Sequence, residues 1–217
     1  MDKLAFSLKV VKMIVFERFS KILQWVINLN YHPSAKDLQQ RDTLLCYRIL
    51  INWRELKIWW WKTGWLTQRN CPDKYTLLYS GIRHITAIEE GSVTLHSVTE
   101  QDFVFVRCPK HVDLTDIVRY PFSFASQHDS AVELLRMPHE TVFRYLMGRQ
   151  SGAVFSGNGG NVVYLHSVGR CGGTLLSSIV HATGQCTVLA HPWPLYDLVF
   201  LLRDTNISPY RYVIILI

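Results

Sequence analysis

The sequence predicts an α/β protein: an incomplete parallel sheet built around a strand, a glycine-rich turn and a helix, with flanking helices. A small antiparallel β meander and N-terminal amphipathic helices precede it. Three observations carry that expectation. Apolar residues recur at helical spacing in the N-terminal third, and they alternate with polar ones between about residues 84 and 107. They then run unbroken through Val162-Val163-Tyr164-Leu165 just ahead of a glycine-rich turn. With 217 residues, 48% of them hydrophobic, the chain can bury a sizeable core and is not a disordered protein.

The formal charge of +6 is unevenly placed. Residues 1–70 hold twelve Lys and Arg against five Asp and Glu, and residues 71–217 hold eleven against twelve. The basic character therefore belongs to the N-terminal third. Five cysteines without a CxxC pair point to a reduced compartment. The expected location is the cytoplasm or a membrane periphery, with the Golgi lumen left open.

Taken in order, residues 1–70 read as a basic, tryptophan-rich helical segment. From Leu4 to Leu29 an amphipathic helix sets Phe19, Ile22, Leu23, Val26 and Ile27 against Glu17, Lys21, Gln24 and Asn28. Lys9 and Lys12 interrupt it as a secretory signal, and its charge opposes a bilayer span. A second helix is expected from about Ser34 to Trp61, with Ser34 or Asp37 as cap. Trp59-Trp60-Trp61-Lys62-Thr63-Gly64-Trp65 follows. The tryptophans read first as a helical pair packed on the downstream domain, and their place beside lysine also suits a membrane interface. Contact with a membrane surface through residues 1–65 is thus one expectation; no nucleic-acid motif is present.

Residues 71–150 read as a small meander plus helices. Strands are expected at His84–Ile88, Ser92–His96 and Phe103–Arg107, and short helices over about 121–135 and 138–146. His84, His96, His111, His128 and His139 lack metal-ligand spacing and read as structural or exposed, so no metal is expected. Residues 151–160, with Gly152, Gly157, Gly159 and Gly160, read as a linker.

Residues 161–217 hold the chemistry. After the strand 162–166 comes Ser167-Val168-Gly169-Arg170-Cys171-Gly172-Gly173-Thr174, then the helical run Leu175-Leu176-Ser177-Ser178-Ile179-Val180. Turn glycines let backbone N–H groups approach a phosphate, and a helix N-terminus adds partial positive charge. A Walker loop would need lysine before the hydroxyl residue, where Gly173 stands, and the dinucleotide fingerprint is absent. Further on, Thr187–Ala190 is expected to form a second parallel strand, followed by His191-Pro192-Trp193-Pro194 and a helix over 195–202.

The run Gly169-Arg170-Cys171-Gly172-Gly173-Thr174-Leu175-Leu176 resembles the 5′-phosphosulfate loop of the sulfotransferase-like P-loop superfamily, in its G-R-[SC]-G-[ST]-T-L-L branch. The likeness covers about 30 residues. It implies a P-loop parallel core, sulfuryl transfer from 3′-phosphoadenosine-5′-phosphosulfate (PAPS) to a hydroxyl or amine acceptor, and no metal. By the resemblance Gly169, Arg170, Cys171, Gly172, Gly173, Thr174 and Leu175 bind the sulfonucleotide, with Arg170 also stabilising the transferring group. His191, standing where the branch carries a glutamate, either takes the place of a catalytic base or marks lost activity. Gly173 and Cys171 depart from the usual hydroxyl residues. The apolar run 212–217 reads as a buried strand at which the core is cut short, so the open sheet needs covering by the N-terminal helices or by a partner, an oligomer being one such cover. A non-catalytic protein with a vestigial phosphate site, sitting on a membrane or a partner, is the alternative.

Overall fold

The computed structural model describes residues 3–40, 42–52, 75–113, 116, 119, 123–150, 172–186, 188, 194–195, 197–198 and 201. The elements run α1 (Lys3–Asn30), α2 (Ala35–Gln39), β1 (Thr43–Asn52), β2 (Tyr75–His84), a 3-10 turn (Ile85–Glu89), β3 (Val93–Val98), β4 (Asp102–Arg107), α3 (Ser123–Ser130), β5 (Glu133–Pro138), α4 (His139–Gln150) and α5 (Gly173–Ala182).

The five strands form one sheet in the order β2-β1-β5-β4-β3, and every pairing is antiparallel. This corrects the expected parallel sheet. All five described strands precede the glycine-rich turn; the strand expected at 162–166 lies outside the described residues, as do Thr187, Leu189 and Ala190 of the one expected at 187–190, whose Val188 is described and is not in a strand. Two segments expected to be helical supply the centre of the sheet. Thr43–Asn52 is β1 rather than part of a helix from Ser34 to Trp61, and Glu133–Pro138 is β5 rather than the end of a helix begun near Pro121. The physical reason is burial on both faces. Leu44 and Cys46 line one core and Tyr47 and Ile49 the other, just as Leu135 and Met137 oppose Leu134. A strand covered on both sides loses its alternation and reads as an apolar run of either type. In the opposite sense, Ile85–Glu89 is a 3-10 turn instead of a strand, with the Thr86 N–H donating to the His84 side chain and the Ile85 N–H to the Asp42 carbonyl.

One face of the sheet packs Leu44, Cys46, Phe103, Leu135 and Met137 under Val142 of α4 and Leu198. The other face packs Tyr75, Val104 and Leu134 with Tyr47, Ile49, Leu77 and Ala131. In β2 an extra residue is accommodated where Cys46 pairs with Gly81 and Tyr47 with Tyr79; Gly81 takes φ 120, open to glycine and strained for others.

Both edge strands have backbone groups met by side chains, which blunts them as templates for further pairing. On β2, the Gln24 amide of α1 donates to the Leu77 carbonyl at 3.0 Å and accepts from the Leu77 N–H at 2.7 Å. On β3, the Val98 N–H donates to Asp197 Oδ2 at 3.1 Å. Residues 197–198 are thereby tied to the sheet, with Leu198 2% exposed in its core. Ser34 caps α2 in a reciprocal capping box with Asp37, whose carboxylate also accepts from the Tyr79 hydroxyl at 2.8 Å. Among the described residues no helix is long and apolar enough to cross a membrane.

Candidate functional site

Of the residues singled out from the sequence, Gly169, Arg170, Cys171 and His191 lie outside the described residues. Gly172, Gly173, Thr174 and Leu175 are described, and they form the N-terminus of α5. Gly172 is its N-cap, with φ 86 and ψ 15 in the left-handed region, and no side chain caps the helix there. A Cβ at this position would meet nothing within 4 Å, so glycine is required by backbone angle and not by crowding. The ladder begins with Leu176 N–H donating to the Gly172 carbonyl at 3.0 Å. Helix geometry therefore leaves the N–H groups ahead of Leu176 outside the ladder, at the positive end of the helix dipole.

The rest of α5 is shallowly seated. It contains no buried residue, and Leu175 is 67% exposed. Ser178 Oγ bonds back to the Thr174 carbonyl at 3.0 Å, an internal bond of the first turn. Backbone donors at an accessible helix start can take an anion; these residues on their own supply no acid or base.

A second polar group, unrecognised from the sequence, is a buried tyrosine–histidine cluster between α3 and the sheet. Tyr75, His96, Ser97, Gln127 and His128 are all 4% exposed or less. The Tyr75 hydroxyl meets His128 Nδ1 at 2.8 Å, and His96 Nδ1 meets Ser97 Oγ at 3.1 Å. The two imidazoles stand edge to face with centroids 5.0 Å apart. Gln127 donates to the Leu95 carbonyl at 2.8 Å, and Asn52 to the His128 carbonyl. Burial this complete bars a solute from the ring nitrogens, so the cluster fixes α3 to the sheet rather than handling substrate. The sequence held no spacing signal for it, because its members come from β1, β2, β3 and α3.

Three arginines of the sheet, Arg83, Arg107 and Arg136, are engaged internally. Arg83 and Arg107 both reach Glu133 Oε2, at 3.3 and 3.4 Å, and Arg107 also reaches Glu90. Arg136 pairs with Asp102. Among the described residues no group of three or more His, Cys, Asp or Glu is arranged to hold a metal ion. Burial, with the nearby Glu133 carboxylate, pushes the Cys46 thiol up to about 11, and burial alone pushes Cys108 up to about 12. Neither is a nucleophile at neutral pH. Comparison of the chain with protein-family models, curated proteins and solved structures gives no significant match.

Proposed function

We propose that the chain binds a sulfonucleotide on the turn 169–175 and transfers the sulfuryl group of PAPS to a hydroxyl or amine acceptor. The observation that carries this is the start of α5: a left-handed Gly172, no side-chain cap, and backbone N–H groups left for an external acceptor. The chemistry of the donor set fits a phosphate or sulfate oxygen, which accepts from several N–H groups at once and favours the positive end of a helix. Support comes from the turn and its sequence, independently of the antiparallel sheet.

In this reading the backbone of 172–175 holds the 5′-phosphate, and PAPS supplies the activated sulfuryl group. Arg170 clamps the oxygens on which charge develops. A guanidinium stays protonated, so it orients and neutralises without donating a proton. As the acceptor O–S or N–S bond forms and the S–O bond to the 5′-phosphate breaks, the acceptor proton passes to His191, imidazole being a side-chain type suited to general-base work. Adenosine 3′,5′-bisphosphate leaves. The test is thermal unfolding with that product: it raises Tm in the wild type and, at the same concentration, raises it much less in Arg170→Ala. A wild type whose Tm does not move overturns the proposal.

A further inference from the structure

The outward face of α1 carries an apolar stripe that the sulfonucleotide reading does not use. Val15, Phe19, Ile22, Val26 and Leu29 recur at intervals of four and three residues, each more than 40% exposed, and Trp25 beside them is 62% exposed. Steps of four and three place them on one side of an α-helix. Gln24, two residues from Ile22 and so on the other side, is the residue tied to Leu77. The helix is thus held to the edge strand by one side while its apolar side faces away.

We infer that this stripe of α1 docks on an anionic lipid surface, lying in the interface with the helix parallel to it. Charge complementarity selects that occupant. Across Lys3–Asn30 the helix has five Lys or Arg against Glu17 alone, and Arg18 is exposed in the turn between Val15 and Ile22. A basic helix with a Trp- and Phe-bearing apolar side fits the headgroup–acyl boundary of a bilayer containing acidic lipids. A second copy of α1 is the poorer occupant. With the stripe as a coiled-coil seam, the flanking positions are Arg18 and Trp25 on one side and Leu23 and Asn30 on the other. No acid on either flank pairs with Arg18, and Glu17 falls on neither.

The experiment uses the full chain in co-sedimentation with phosphatidylcholine vesicles, with and without phosphatidylserine, and light scattering without lipid. The wild type is expected to be free of self-association through α1 and to bind the phosphatidylserine vesicles more tightly than the neutral ones. Phe19→Ser/Ile22→Ser/Trp25→Ser changes only exposed side chains and is expected to weaken binding at least about tenfold. Arg18→Glu is expected to weaken binding only to the acidic vesicles. Equal binding by the triple variant, no preference for the acidic vesicles, or a lipid-free dimer that the triple variant disperses each overturns the inference, the last by assigning the stripe to a second copy.

Discussion

Substituting Leu134 and Leu135 one at a time by alanine tests whether 133–138 is the central strand that the sheet requires. Both leucines are 0% exposed, yet they belong to different cores: Leu135 lies between Cys46 and Phe105 in register, and Leu134 between Tyr47 and Val106. Neighbours on both flanks and a covering layer on each face leave little room for collapse around the lost methyl groups. Each change is therefore expected to cost the about 2–5 kcal/mol typical of a buried Leu→Ala. For a chain of this size that corresponds to a Tm drop of roughly 4–20 °C. Val132, 47% exposed just before the strand, is the control; Val132→Ala should stay within about 0.5 kcal/mol. A helix over the same residues would place Val132 and Leu135 on one side and Leu134 apart from them. Urea unfolding in which Leu134→Ala is near neutral while Val132→Ala and Leu135→Ala lose stability together would refute the strand.

Gln24→Ala removes both bonds to Leu77 and is expected to cost about 1–2 kcal/mol and speed hydrogen exchange at the Leu77 amide; unchanged protection there would mean that the clamp holds nothing. Because burial raises the Cys46 thiol from its usual 9.0 to about 11, iodoacetamide at pH 8 should label the exposed Cys186 and spare Cys46 and Cys108 until the chain unfolds. The unfolded thiols ionise first, so stability should fall as pH rises from about 9 toward 11; native labelling of Cys46 at the rate of Cys186 would contradict this. His139, burial of which beside Phe103 lowers its pKa from 6.5, behaves in the opposite sense: its contribution is present above that pH and is lost on acidification through the lower folded value. His139→Gln should flatten the stability profile on the acid side, and an unchanged profile would remove His139 as its source.

The parts of the fold that are legible in the sequence are those with a wet side or with turn residues at their ends. α1 shows a helical period because one side faces outward, β3 and β4 are bounded by turn residues even though β4 buries Phe103 on one face and Val104 on the other, and α4 opens at His139 directly after Pro138. The sequences of β1 and β5 resemble helices for the reason that makes these strands central: covered on both faces, Leu44-Leu45-Cys46-Tyr47 and Leu134-Leu135 lose the alternation that marks a strand. The parallel sheet was an extension from one turn to a whole core, and the described strands pair antiparallel instead. At the site, a helix after the glycine-rich turn is legible in the apolar run from Leu175, whereas the left-handed angle of Gly172, φ 86, is a structural finding. The tyrosine–histidine cluster is not legible, since tertiary pairing across four elements leaves no periodicity.

The most direct measurement of the central claim is calorimetric titration of the full chain with adenosine 3′,5′-bisphosphate, run beside Arg170→Ala. Sulfonucleotide binding on the turn predicts saturable heat in the wild type and an affinity at least about tenfold weaker in the variant, as loss of a charge-assisted contact requires. No heat of binding, or equal affinity in the two proteins, would contradict it.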